Sequence, residues 1–585
     1  MKKYNDIFIQ LILSVIMVVF IWHNFNISGN NIIFIFIFAA SYIFFKYTTL
    51  IKEKRINIIA AIISLLFTLI EIIGKCINKD YTLNNIINKW IVVNLLGYFI
   101  ICWSIIKCVY SFLDKVNKKE VKENFFKIKR LNNNYIVFLL FLILIIISWI
   151  PYLLKYFPGI ITPDSLSQIE QAIGKEKLQN HHPIAHTAII SLCINLGLAI
   201  TNNINIGIAI YSILSIILMA AFDAIVLTYL RKKNVPFSIL FGILIYYMFY
   251  PVNALYSITM WKDIIFSGIF PIFLILCNEL IFNTEEFLKY KKNIFVYVTI
   301  AFLIMVFRHN GVYVVILTLP FLYIVLKKYW KKFSIICVSI LTLYTVFNTF
   351  VTNVLKAERG SVGEMLSIPL QQIARVEKNY RYELDENITD RINQIYTIDK
   401  IGDYYKETIS DPVKAKFNEI YLKNNKIDFI KTYISLFLRY PKDYIEAFIA
   451  NSYGYYYPEA YNWVVSRATM DRDMGIRLEP KTNSKIVETI DSYIDRRDIV
   501  LLSMMFSIGF VFWGIIVCLG YKIYIREYKY ILVYLPIFIL WLTCIASPVF
   551  CEFRYAYPLF TSIFLYICFN LKIKNDNIRC SNRFN

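Results

Sequence analysis

Apolar stretches of bilayer length recur along most of this 585-residue chain, and no other feature limits its possible folds as sharply. Inside lipid a bare N–H or C=O finds no water, so an apolar run of ~17–25 residues crosses as a helix. Composition agrees. The chain is 58% hydrophobic with a mean hydropathy of +0.54, whereas soluble domains sit near ~45–50% apolar. The opening run DIFIQLILSVIMVVFIW follows a basic MKK, lacks a small-residue cleavage site and is followed at once by a second apolar run. It reads as a retained helix and not as a signal peptide. The eleven cysteines lie mostly inside apolar runs and show no CxxC or metal-finger spacing, so no disulfide framework is expected.

A net charge of +21 would suggest nucleic acid as partner for a soluble protein. Here Lys and Arg cluster in short loops between spans, where they orient helices. Clusters at 52–55, 118–130, 231–233, 289–292, 327–332 and 521–529, and the tail from Lys572, are all expected on the cytoplasmic side of a bacterial plasma membrane. One arrangement satisfies them: spans near 7–22, 31–46, 56–74, 91–112, 135–154, 205–229, 236–252, 264–282, 293–307, 312–326, 333–354, 499–520, 530–546 and 558–571. That is about fourteen helices with both termini inside. The short apolar stretch 188–200 cannot be a crossing in this arrangement, because counting it as one would put the basic cluster 231–233 outside; it is expected to lie at the outer surface or to be partly re-entrant.

This arrangement sends 158–187, 256–263, 308–311, 356–498 and 547–558 to the outer face, and they hold most polar interruptions that are not topology signals. Four regions follow: an N-terminal four-helix module (1–131), a transmembrane core (132–355) with a first external loop (155–204), an extracytoplasmic helical domain (356–498), and C-terminal helices with a tail (499–585). The domain carries helical patterns such as DFIKTYISLFLRYPKDYIEAFI, and an aromatic run, YGYYYPEAYNW, that reads as an interfacial belt or as a sugar-stacking platform.

Three of the five histidines, His181, His182 and His186, share one outer loop with Asp164. Pro158, Gly159 and Pro163 set a turn there. Asp164 reads either as a helix N-cap or as a catalytic carboxylate. His182 and His186 stand four apart, which permits a zinc site, although hydrogen bonding to phosphate or sugar suits the loop better. Lys262 and Asp263 in MWKD open another span and need water, a cavity or a partner. Trp261 beside them reads as an interface anchor. Arg308, His309 and Asn310 in FRHNG break two apolar runs, and Arg308 is suited to clamp a phosphate. Gly311 is expected to allow a tight turn. Glu552 and Arg554 in CEFRYAYP repeat the theme, as site groups or as an internal salt bridge.

The motifs PGIITPDS, NHHPIAHT, WKD, RHNG and EFRYAYP resemble an uncharacterised polytopic family of bacteria. Their layout, a first external loop with a membrane-proximal acid and a second acidic loop two spans later, is similar to the GT-C class of membrane glycosyltransferases. The resemblance covers about 135–571. It implies a GT-C-like, all-α fold and transfer of a sugar from a polyprenyl-phosphate donor to a cell-envelope glycan, lipid or protein. It gives Asp164 the role of base or acceptor-positioning group, with Asp263 as the second catalytic acid. The donor and acceptor would meet His181, His182, His186, Lys262, Arg308, His309, Asn310, Glu552 and Arg554. A divalent metal is an open possibility: Ser165 follows Asp164 where a second carboxylate would stand, and no WWDYG-type motif occurs. No GxGxxG or Walker motif is present, as suits a lipid-linked donor. A polysaccharide polymerase or ligase is the alternative. A lipid-linked substrate transporter or flippase fits less well, because no internal repeat is evident.

Overall fold

The computed structural model describes residues 2–25, 27, 32–118, 133–496, 500–547 and 549–571. Most of the basic cluster at 118–130, the region boundaries at 131 and 498, and the tail from Lys572 lie outside the described residues. Among the described residues regular structure is helical, with only isolated β-bridges besides. Each stretch expected as a span contains a helix. Among the described residues, eight helices are long and apolar enough to cross a membrane, or nine when the pair Phe237–Phe249 and Pro251–Ser257, bent by 51°, counts as one. Pro251 starts the second piece, where a missing N–H costs nothing, and it cannot continue the first. Shorter apolar helices include His309–Val325, Ile508–Tyr524, Tyr530–Ile545 and Phe553–Phe569.

The helix Lys262–Phe282 is buried on all sides. It is apolar around its whole circumference, which is the pattern of a central helix. Around it the bundle has two distinct ends. At one, Lys52 pairs with Asp6 at 3.0 Å, Lys233 with Glu279 at 2.7 Å, and Asp114 accepts from Tyr521 and Tyr524. The basic loops collect there. The polar interruptions gather at the other end, near Asp164, Lys262 and Arg554.

The first four helices pack on one another and also on the main bundle. Met17, Phe20, Phe45 and Ile100 form a small core of their own. Lys54–Asp80 and Ile91–Lys118 join the main core, where Tyr110 donates to the Val517 carbonyl at 2.9 Å and Phe67 meets Trp513 edge-on.

Between 356 and 496 lie helices Ser367–Tyr380, Glu386–Ile395, Lys426–Arg439, Pro441–Ser452 and Lys485–Asp495, together with shorter ones. Leu370, Ile373, Phe429, Leu436 and Tyr444 belong to a separate core. Buried Arg375 ties this region to the bundle. It donates to Glu446 at 2.5 Å and to the Tyr81 carbonyl at 3.2 Å, while Glu446 accepts from the Leu83 N–H at 2.8 Å. Removing one partner of a buried pair destabilises by ~3–5 kcal/mol. Glu446→Ala should fall at the low end, because Asp443 stays 3.6 Å from Arg375. Hydrogen exchange in Ser367–Tyr380 and Pro441–Ser452 should rise; unchanged protection would refute the tether.

The stretch 188–200 belongs to a longer helix, Ile184–Thr201, which qualifies as a span by length and composition. It starts earlier than its apolar run because His186 and Thr187 are buried with polar partners. Both its ends nevertheless sit at the Asp164 end of the bundle. His186 lies beside that loop. Just past its other end, Asn205 bonds Gly475 and Arg477, in the same strap whose Met470 N–H donates to Ile161 and whose Glu479 N–H donates to Phe157. Its length and composition are those of a membrane span, where a surface or partly re-entrant helix was expected. Gly197 and Gly207 let this helix and Ile204–Lys232 cross in backbone contact.

Candidate functional site

The site is built on a short backbone pairing. The Ile160 N–H donates to Ile258 at 2.9 Å and the Met260 N–H to Ile160 at 3.1 Å, so the Asp164 loop and the Lys262 loop run side by side. Gly159 makes this possible. Its φ of 147° is closed to most side chains, and a Cβ would strike Ser212. The helix Pro163–Ala172 then begins with Thr162 as its N-cap, whose N–H donates to Ser165 at 2.8 Å. Asp164 sits inside the first turn and is not the cap, which removes the capping explanation for it.

Asp164 instead meets cations. Arg554 Nη1 donates to its carboxylate at 2.7 Å, and Lys262 Nζ lies 4.0 Å away. Burial opposes ionisation of Asp164, but Arg554 and Lys262 together hold its carboxyl well below the usual carboxylate range. Arg554 Nε also pairs with Glu552 at 3.1 Å, and its guanidinium lies over the rings of Trp261 and Tyr555. Burial pushes the Glu552 carboxyl up, against the pull of Arg554. Trp261 is held in turn by its indole N–H, which donates to Thr162 at 2.6 Å.

Behind this layer a second ion pair is sealed off. Arg308 Nε stands 3.2 Å from Asp263, with side chains 6% and 0% exposed, and Arg308 Nη1 donates to the Tyr555 carbonyl. Lys262 and Asp263 are adjacent, and so are Arg554 and Tyr555, so the buried pair braces the backbone that carries the two outer cations. Gly311 acts through close approach and not through a turn, since a Cβ there would strike the Ile304 carbonyl.

The histidines divide. His182 Nδ1 accepts from Lys262 Nζ at 2.9 Å. Burial, reinforced by Lys262, pulls its pKa down to about 3, so the ring is neutral under physiological conditions. His186 is enclosed between Gln168 at 3.0 Å and Tyr211 at 2.8 Å and fixes the Asp164 helix from beneath. The two rings thus serve different partners and do not converge as zinc ligands would. His181 and His309 are exposed at the rim, and His309 Nε2 donates to the Asn180 carbonyl at 2.9 Å. Asn310 follows half-buried. Donor binding that depends on neutral His182 should show no titration from this residue between pH 5.5 and 7.5. An imidazole titration near 6.5 that His182→Ala removes would contradict this.

The fit to a divalent metal is poor. Asp164 and Asp263 are each matched to a guanidinium, and among the described residues no three His, Cys, Asp or Glu side chains form a metal-holding group. The aromatic run also differs from both expectations. Tyr453, Tyr455, Tyr456 and Tyr457 are buried in the main core, with Trp541 and Trp513 donating to the Tyr455 and Tyr456 carbonyls. Two residues of the run meet the site: Trp463 lies edge-on to Trp261, and the Tyr455 hydroxyl accepts from the Glu552 N–H at 3.1 Å. The roles of Trp261 and Tyr555 escaped the sequence reading, because an aromatic at a span boundary looks like an interface anchor.

Many apolar helices, with charged side chains gathered at the two ends of the bundle, define an all-helical, multi-pass membrane protein. The chain belongs to a family of unknown function, DUF6020, whose model matches residues 172–583. The match takes in every candidate residue named above except Asp164. No curated protein and no solved structure matches.

Proposed function

We propose that this protein transfers a sugar from a polyprenyl-phosphate donor to a cell-envelope acceptor at the outer face of the bacterial plasma membrane, as a GT-C-type glycosyltransferase. The observation that carries this is the half-exposed carboxylate of Asp164 between Arg554 and Lys262, at the end of the bundle opposite the basic loops. Positive-inside orientation makes that end the outer one.

The chemistry follows from charge. The donor phosphate is an anion at membrane level, and Arg554 and Lys262 are cations that can bind it. Binding draws them from Asp164 and raises the proton affinity of the carboxylate, so the base is armed only when donor is present. The acceptor hydroxyl oxygen then attacks the anomeric carbon. The bond from that carbon to the phosphate oxygen breaks, the phosphate leaves with the electron pair, and the hydroxyl proton passes to Asp164. Arg554 and Lys262 stabilise the departing charge. Engagement of Arg308 with Asp263 favours this assignment over a polymerase centred on Arg308.

The test is native mass spectrometry of the nanodisc-embedded protein with polyprenyl phosphate, followed by turnover of a panel of polyprenyl-phosphate hexoses. Expected are a bound carrier that Arg554→Ala loses and turnover indifferent to chelators. A carrier that fails to bind would overturn the proposal.

A further inference from the structure

We infer that the helix Lys426–Arg439 docks on the lipid leaflet, holding the domain it belongs to against the membrane surface. The helix has two apolar faces. Phe429, Thr432 and Leu436 are buried in the domain. On the opposite side Ile427, Ile430, Ile434, Phe437 and Leu438 are between 41% and 73% exposed. At about 100° per residue these five fall within an arc of about 100°, the width of a face that packs against something. A single surface leucine needs no explanation, but a contiguous apolar stripe marks an interaction surface.

Charge identifies the occupant. Lys426 and Lys431, both exposed, lie about 20° outside the two edges of the stripe. Their stems can lie along apolar surface while the ammonium groups reach headgroup phosphates. The neighbouring acid, Asp428, is turned away from the stripe and accepts from Tyr421 at 2.6 Å. An apolar face bordered by lysines suits an anionic lipid surface. Position agrees. One residue beyond this helix begins Pro441–Ser452, and Ala450 and Tyr453 already belong to the main helical core. The stripe is therefore tethered within about 20 Å of the membrane-embedded helices. This inference does not depend on sugar transfer.

The experiment places a photoreactive benzoyl-phenylalanine at Ile434 in the full-length protein, in nanodiscs rich in phosphatidylglycerol. Tyr382, 96% exposed on the same domain, serves as reference. Adducts are identified by mass. The expected result is phospholipid adducts at 434 well above those at 382. Lys426→Gln and Lys431→Gln should each lower their yield, by up to about fivefold, in anionic discs. A yield at 434 no higher than at 382 would overturn the inference, as would cross-linking at 434 to a second copy or to another protein.

Discussion

Asp164→Asn should reduce sugar transfer by about 10²–10⁴-fold, the range that a positioned general base supplies. The substitution keeps shape and hydrogen-bonding capacity while removing charge and basicity. Thr162 and Ser165 make the helix cap, so Asn at 164 disturbs no cap, and the half-exposed site tolerates an amide. A folded, membrane-inserted, inactive protein is therefore expected. Initial rates on a polyprenyl-phosphate hexose, with unfolding monitored in parallel, check it. Near-normal turnover would remove Asp164 from the reaction. Carrier binding should survive or tighten, because Arg554 and Lys262 lose their internal counterion and become freer for phosphate. Asp164→Asn that neither binds carrier nor turns over would point to a structural role.

Asp263→Ala should be the most damaging single change to the fold. It leaves Arg308 buried against the Tyr555 carbonyl without its counter-ion, and stranding one charge of a buried pair costs ~3–5 kcal/mol. Thermal unfolding in detergent should shift down sharply. The double variant Asp263→Leu with Arg308→Met removes both charges and should recover much of the loss, since an apolar replacement of a buried pair is often near neutral. Wild-type stability for Asp263→Ala would show that the pair contributes nothing. Turnover of the stable double variant then measures how far the buried pair positions Lys262 and Arg554.

Helix locations were largely legible from the sequence because lipid leaves the backbone no alternative to the helix. A run such as 264–282 becomes helix Lys262–Phe282 almost unchanged. Helix Ile184–Thr201 extends past its apolar run to take in His186, because tertiary partners absorb a polar group that hydropathy counts as an interruption. The site residues were recognisable as polar interruptions of apolar runs. Their ranks were not: nothing local distinguishes Asp164, which reaches solvent, from Asp263, which does not.

The chain by itself determined that this protein is helical and membrane-embedded, and which charged residues stand at span ends, because transfer of apolar surface and unpaired backbone polarity act residue by residue. Tertiary structure alone decided that Asp164, distant in sequence from Arg554, pairs with it, and that Arg308 is enclosed with Asp263. It also turned one apolar stripe of Lys426–Arg439 outward while burying the other. The physical reason is the same in each case. Burial and charge pairing depend on which helices meet, and local patterns do not record those meetings.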